Sequence, residues 1–338
     1  MMKTHLRSSL IPDATTLVSR QVRFGLLLAS LAFAGSVTAE PAAALWTDDH
    51  PAALEKAKSE KKDVLMDFTG SDWCIWCKRL HGEVFDTTLF KESAPRQFVL
   101  LELDFPSKVK QAETLKNQNA ELRKKFAVRG YPTILLADAE GRVYAQTGYK
   151  PGGPEKYLEM LEQYRQRRVA RDAKWAAADK VTGGERARLL AEGLQALQNN
   201  ELVVKQYSAE LDQIARLDAD GKAGGKAICD KMKEEVAAEA KYNEALTTTL
   251  KPVRTDPKGT IEKLTAMAGD KTLTLPQRQQ AMGIAGKVAL RELKDNDQAR
   301  QLFAKAIAMD PNSEGGRELQ AECDKIAVGA GEKSAASQ

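Results

Sequence analysis

Two thiols separated by two residues, in the run Trp73-Cys74-Ile75-Trp76-Cys77-Lys78, constrain this chain more than any other feature. Upstream, Asp63-Val64-Leu65-Met66-Asp67-Phe68 reads as a short apolar strand, and from Cys77 onward the pattern is helical. A Cys-x-x-Cys between a strand and a helix puts the first thiol at a helix N-terminus. There the partial positive charge and free N–H groups favour a thiolate. Cys74 is thereby the candidate nucleophile and Cys77 the resolving thiol, and the spacing points to disulfide exchange.

A second element, Arg129-Gly130-Tyr131-Pro132-Thr133, leads into the apolar strand Ile134-Leu135-Leu136-Ala137. The two motifs in strand context resemble the thioredoxin superfamily, in which a WCxxC motif opens a helix and a Gly-x-Pro-Thr loop with a cis proline lies beside the cysteines. The resemblance covers residues 45 to 168, about a third of the chain. It implies an α/β thioredoxin-like fold, a central mixed sheet flanked by helices, and protein-disulfide oxidoreductase activity. It also implies that Pro132 is cis, leaving the backbone at Tyr131 free to pair with an extended substrate segment beside Thr133. Asp67 falls at about the position where thioredoxins place a buried acid that takes the resolving cysteine's proton. The link from Asp67 to Trp73 is one residue longer than in thioredoxin itself, and a structural acid, or Asp72 acting instead, are the alternatives. Trp73 and Trp76 flank Cys74 and offer flat apolar surface to an unfolded substrate, although core packing would also explain either. Ile75-Trp76 is neither the Gly-Pro pair of reducing thioredoxins nor the x-His pair of strong oxidants, so the direction of electron flow stays open.

At 338 residues, with 43% hydrophobic and 29% charged residues, the chain is long enough for two ordinary globular domains. Basic Lys3, Arg7, Arg20 and Arg23 precede an apolar stretch from Phe24 to Val37, and Val37-Thr38-Ala39 offers small residues for cleavage. Residues 1–39 are read as a bacterial-type signal peptide, giving an exported protein, periplasmic or secreted, with no stable membrane span after cleavage. Removing them takes four of 51 basic residues and Asp13 from 47 acidic ones, leaving 47 against 46. That balance makes no electrostatic case for nucleic acid. The partners expected are protein thiol or disulfide substrates and a redox partner protein. No cofactor beyond the Cys74–Cys77 disulfide is expected, and no metal: His81 is read as a solvated helix position, with His50 the other histidine of the mature chain. The Cys-x-x-Cys-His sequence for covalent haem is absent, since Lys78 follows Cys77.

Within 40–168 the pattern predicts a turn or strand near Trp46, a helix over Pro51 to Lys58, and a strand over Val64 to Phe68. A helix from Ile75 to about Arg96, broken near Asp86, and a strand over Phe98 to Phe105 follow. Next come a helix over Asn119 to Phe126, a strand over Thr133 to Asp138, a hairpin turn, Val143 to Gln146, and a closing helix from Pro154. The polar segment Pro106 to Gln118 lengthens one connection and is read as a solvated helix, with a substrate-facing loop as the alternative. From about residue 169 the composition turns to Ala, Lys, Glu, Gln and Leu at helical spacing, predicting an all-α domain over 169–327 and a disordered tail over 328–338. Residues near 280–311, including Ala299, Phe303, Ala306 and Asp310-Pro311, resemble the second half of a tetratricopeptide repeat: the alanines let two helices close and Phe303 fills their seam. The pattern fails at Gly286-Lys287, and no second copy is evident. Cys229 and Cys323 lie on predicted helices, as a structural disulfide or as two free thiols. A different class of function, a partner-binding helical protein with a redox-sensing thioredoxin-like module, fits the same sequence.

Overall fold

In a computed structural model, residues 45–335 are described; the segment read as a signal peptide lies outside them. Five strands form one sheet in the order β1-β3-β2-β4-β5: β1 (Trp46–Thr47), β2 (Asp63–Thr69), β3 (Phe98–Asp104), β4 (Thr133–Ala137) and β5 (Val143–Thr147). β1 and β2 run parallel to β3, while β4 is antiparallel to both β2 and β5. Every residue of β2 and β4 is buried. That is why these segments are nearly continuous apolar runs rather than alternating ones: both faces of the central strands are covered.

Helix α1 (His50–Glu60) starts at Asp49, whose carboxylate accepts from the Ala52 N–H. The segment expected as a helix broken near Asp86 is four pieces: α2 (Ile75–Leu80), a π turn (His81–Phe85), α3 (Thr88–Ser93) capped by the Thr87 hydroxyl, and a 3-10 turn (Ala94–Arg96). The break falls at Asp86–Thr87, where it was expected. Two expectations about the long connection change. Residues 106–112 are irregular rather than helical, and α4 (Glu113–Lys125) begins six residues before Asn119. The irregular stretch is held by side chains of the neighbouring loop, described below, so it needs no helical hydrogen bonds of its own.

The closing helix α5 (Gly153–Ala178) runs without interruption through residue 168. After it come α6 (Gly183–Ala196), α7 (Asn200–Gln206), α8 (Ser208–Leu217), α9 (Gly225–Leu250), α10 (Pro257–Gly269), α11 (Leu275–Val288), α12 (Asn296–Met309) and α13 (Glu314–Ala335). This last helix extends into the segment expected to be disordered from Val328.

Packing divides the chain elsewhere than composition does. One apolar core joins the sheet to α5, α6, α7, α8 and the start of α9, ending with Cys229 and Met232. A second core begins with Tyr242 and Leu246 on the same helix and continues to α13. The change in composition near residue 169 marks where strands stop; the sheet's core carries on into helices. Arg171 on α5 is the joint: fully buried, it donates to Asp138 Oδ2 at 2.7 Å at the end of β4 and to the Tyr207 hydroxyl at 2.8 Å. Tyr207 in turn donates to the Val143 carbonyl on β5 at 2.8 Å. In the second core, Ala299, Phe303 and Ala306 are buried. A Cβ on Gly286 would stand 2.5 Å from the Phe303 ring, so the glycine that departs from the repeat pattern is what admits the phenylalanine into the seam.

Candidate redox site

Cys74 and Cys77 are joined in a disulfide, with Cα atoms 5.3 Å apart. Cys74 is the N-cap of α2, in extended conformation, and its sulfur accepts from the Cys77 N–H at 3.2 Å. The backbone therefore already offers a hydrogen bond to the atom that would carry negative charge on reduction. Cys74 is 6% exposed and Cys77 1%. Because the two sulfurs are bonded to each other, this oxidised form offers no thiolate to a metal.

The turn before Cys74 is fixed from β3 and the loop beyond it. The Ser71 N–H and hydroxyl donate to the Asp104 carboxylate at 2.9 and 2.6 Å. Trp73 Nε1 donates to the Phe105 carbonyl at 2.9 Å. The Asp72 carboxylate accepts from the N–H groups of Ser107, Lys108 and Val109, which hold it below the usual carboxylate range. Asp72 is thus a loop anchor and a poor base. Gly70 makes the turn possible, since a Cβ there would lie 2.6 Å from the Trp73 ring.

On the other side, the Tyr131–Pro132 bond is cis. The Tyr131 ring packs edge-on against Trp73 at 5.7 Å and beside Phe105 at 5.2 Å, with the Arg123 guanidinium over both Phe105 and Tyr131. Thr133 is buried, and its hydroxyl donates to the Gly130 carbonyl at 2.8 Å, closing the loop on itself. Trp76 packs on Tyr149 at 5.3 Å under the Arg79 guanidinium. Trp73, Ile75 and Trp76 remain 48%, 74% and 50% exposed, an apolar rim around the disulfide.

Asp67 is fully buried on β2, the strand that leads into the turn before Cys74. Its Oδ2 is 2.9 Å from His81 Nε2, and its Oδ1 has no partner among the described residues. Burial pushes the Asp67 carboxyl up, against the hydrogen bond and charge of His81 that pull it down. His81 therefore corrects the sequence expectation: the helix period that carries it one turn past Cys77 points it inward, where Trp46 and Phe85 wall it in. Burial opposes its charged form, but Asp67, Glu102 and Asp86 leave it more readily protonated than an ordinary histidine. Glu102, opposite Asp67 in the β2–β3 register, is pushed up by burial and then by the Asp67 charge. Sequence reasoning missed both partners. The signal available was His81 at i+4 from a buried cysteine, on the helix that follows the strand of Asp67.

Cys229 is buried and Cys323 partly buried, and both are free. Burial pushes the Cys229 thiol up to about 11, which leaves it unreactive at neutral pH.

A family model described as a thioredoxin-like domain matches residues 50–165. The disulfide bond reductase DsbH of Chlamydia pneumoniae is 36% identical over 121 residues, 36% of this chain and 73% of that protein. The thioredoxin-related protein DsbJ of Chlamydia pneumoniae is 30% identical over 104 residues, 31% of this chain and 30% of that protein. Among solved structures, a DsbH oxidoreductase is 35% identical, with a TM-score of 0.34, covering 35% of this chain and 81% of that one.

Proposed function

This chain belongs to the thioredoxin-like family of thiol-disulfide oxidoreductases, and on that premise we propose that it reduces disulfides of exported proteins with Cys74 as the attacking thiol. The observation that carries the assignment is the placement of Cys74 as N-cap of α2, its sulfur accepting the Cys77 N–H while Cys77 lies deeper. In the reduced protein the Cys74 thiolate attacks a substrate disulfide and expels one substrate thiolate. Cys77 then loses its proton and attacks the Cys74 sulfur, which releases the second substrate thiolate and leaves the Cys74–Cys77 disulfide. Two electrons pass from the dithiol to the substrate.

Asp67 is the base for Cys77: buried, its proton affinity raised by that burial, with one oxygen free to accept. Tyr131 and Pro132 form one wall of the substrate groove, Trp73 and Trp76 the rim, and Thr133 holds the loop. The reductive direction follows the reductase it resembles. Export follows the basic then apolar pattern of residues 1–39. The helical portion, anchored to β4 and β5 through Arg171 and Tyr207, orients a partner at the site. Among the described residues no helix is long and apolar enough to cross a membrane.

The test is a trap. With Cys77→Ser the mixed disulfide through Cys74 has no resolving thiol, so exported proteins accumulate as adducts released by reductant. A Cys77→Ser protein that collects none, while the wild type reduces insulin, overturns the assignment of Cys74. A reduction potential near the ~−120 mV of a strong oxidant, rather than the ~−270 mV of thioredoxin, would overturn the reductive direction.

A further inference from the structure

Cys77 and His81 stand one helical turn apart on the same face, and the His81 N–H bonds the Cys77 carbonyl. The imidazole is therefore on the cysteine's own face, with Nε2 2.9 Å from Asp67 Oδ2. Glu102, opposite Asp67 on β3, completes the group: one nitrogen or oxygen of each of the three lies within 4.8 Å of the others. Their exposure differs in a useful way. Asp67 is sealed from solvent, whereas His81 and Glu102 are each partly open. A proton delivered to Asp67 has no direct way out, and the polar atom hydrogen-bonded to that carboxylate belongs to His81.

Resting on the reading of Asp67 as the base for Cys77, we propose that His81 balances the proton this buried carboxylate receives by releasing one of its own to solvent. Before resolution, Asp67 and His81 form a carboxylate–imidazolium pair that shares one proton between Oδ2 and Nε2. The Cys77 S–H bond breaks, its electron pair forms the new bond to Cys74 Sγ, and its proton goes to the unpartnered Asp67 Oδ1. The imidazolium releases the proton on Nδ1 to water, from which the departing substrate thiolate is protonated. The buried pair is neutral before and after, so completed resolution leaves no net charge inside the sheet, where an unpaired charge is costly. The charged groups facing His81 are Asp67 from β2, Glu102 from β3 and Asp86 from the end of the π turn. All three are acids, and all favour the imidazolium with which the step starts. His81 touches no substrate atom and acts through Asp67, as a positioning residue.

Stopped-flow fluorescence of Trp73 and Trp76, with the reduced full-length protein and a small aromatic disulfide, separates the attack of Cys74, which depends on disulfide concentration, from the resolution by Cys77, which does not. In His81→Gln the amide still donates to Asp67 but cannot hand on a proton. Resolution is expected to slow at least about tenfold near neutral pH, less than the ~10²–10⁴-fold of a directly acting acid or base because His81 acts through Asp67, and to lose its imidazole-range pH step. Attack should keep its rate. Resolution in His81→Gln at the wild-type rate and pH profile overturns the proposal. Asp67→Asn separates the two readings: slow resolution there with normal His81→Gln removes the role of His81 alone, and normal resolution in both removes Asp67 as the base. An NMR titration of the His81 ring in the reduced wild-type chain needs no variant. A pKa above that of a free histidine supports the pair, and an ordinary value that Asp67→Asn does not move overturns it.

Discussion

Arg171 and Asp138 meet at 2.7 Å with both side chains closed off from water, 33 residues apart in sequence. A charge pair in such a place contributes little net stability when intact, but losing one member strands the other. Arg171→Met should cost roughly 3 kcal/mol in urea denaturation, the low end of the ~3–5 kcal/mol typical for breaking a buried pair. The low end is expected because Arg142 also donates to Asp138, at 2.8 Å. An unchanged midpoint would show that the helical portion does not depend on this joint.

Asp67 should weaken the fold as pH rises. Its carboxyl is raised above its unfolded value, so the favourable, protonated state is fully present below about pH 3.8, and stability is lost as pH climbs through the folded pKa. Asp67→Asn removes that loss. Its thermal midpoint should lie above the wild type's at pH 8 and approach it at pH 4, by an amount in the range of the ~1–3 kcal/mol that an unmet buried polar group costs. Equal midpoints at pH 8 would mean that the carboxyl ionises without penalty.

Alkylation of the reduced protein near neutral pH should modify Cys74 before Cys77. A thiol brought from ~8.5 to ~7.5 carries nearly tenfold more thiolate at neutral pH, and Cys74 is also the more exposed. Mass spectrometry of the early adducts gives the order, and faster labelling of Cys77 would reverse the roles assigned to the pair.

Asp72 holds three consecutive-loop N–H groups, those of Ser107, Lys108 and Val109. In Asp72→Ala those amides should exchange severalfold faster with deuterium, while the amides of β2 keep their protection. The KM for a protein substrate should rise more than kcat falls, because the loop braces the turn that carries Trp73 and supplies neither cysteine. Protection unchanged at residues 107–109 would mean the loop is held by something else.

Gly286→Ala forces a methyl to within 2.5 Å of the Phe303 ring. Overpacking of this kind costs about 1–3 kcal/mol. The loss should appear in the thermal midpoint, and Phe303→Leu in the same chain should recover part of it, since the two positions share one space.

The strands, the helix that carries the cysteines and the proline loop were legible because each has a local signature: unbroken apolar runs, a Cys-x-x-Cys between strand and helix, and Gly130-Tyr131-Pro132-Thr133 leading into β4. What was not legible is what depends on contact across the fold. Arg171 is one of four arginines between residues 165 and 171, and nothing local distinguishes the one that reaches Asp138. His81 looks solvated until the β2 strand is placed beneath its helix face. The loop 106–112 has a helical composition, yet Asp72 satisfies its backbone from outside. Asp72 and Asp67 were rival bases by spacing; burial separates them, one bound by loop N–H groups at the surface and the other sealed in the sheet.

Helix α9 places Cys229 and Met232 in one core and Tyr242 and Leu246 in the other, and from Lys233 to Lys241 only Val236 is even partly withdrawn from solvent. Over those nine residues the helix is a strut: it transmits position through its backbone ladder with no apolar core of its own to rest on, tied to its neighbours by the bonds from Asn200 to Glu235 and from Gln277 to Glu239, each 2.6 Å. A bare helix of that length is marginal in water. The far core can therefore melt without disturbing the sheet, so heating should produce two steps, and a protease nick within the strut would release the distal helices from a redox module that still carries α5 through α8.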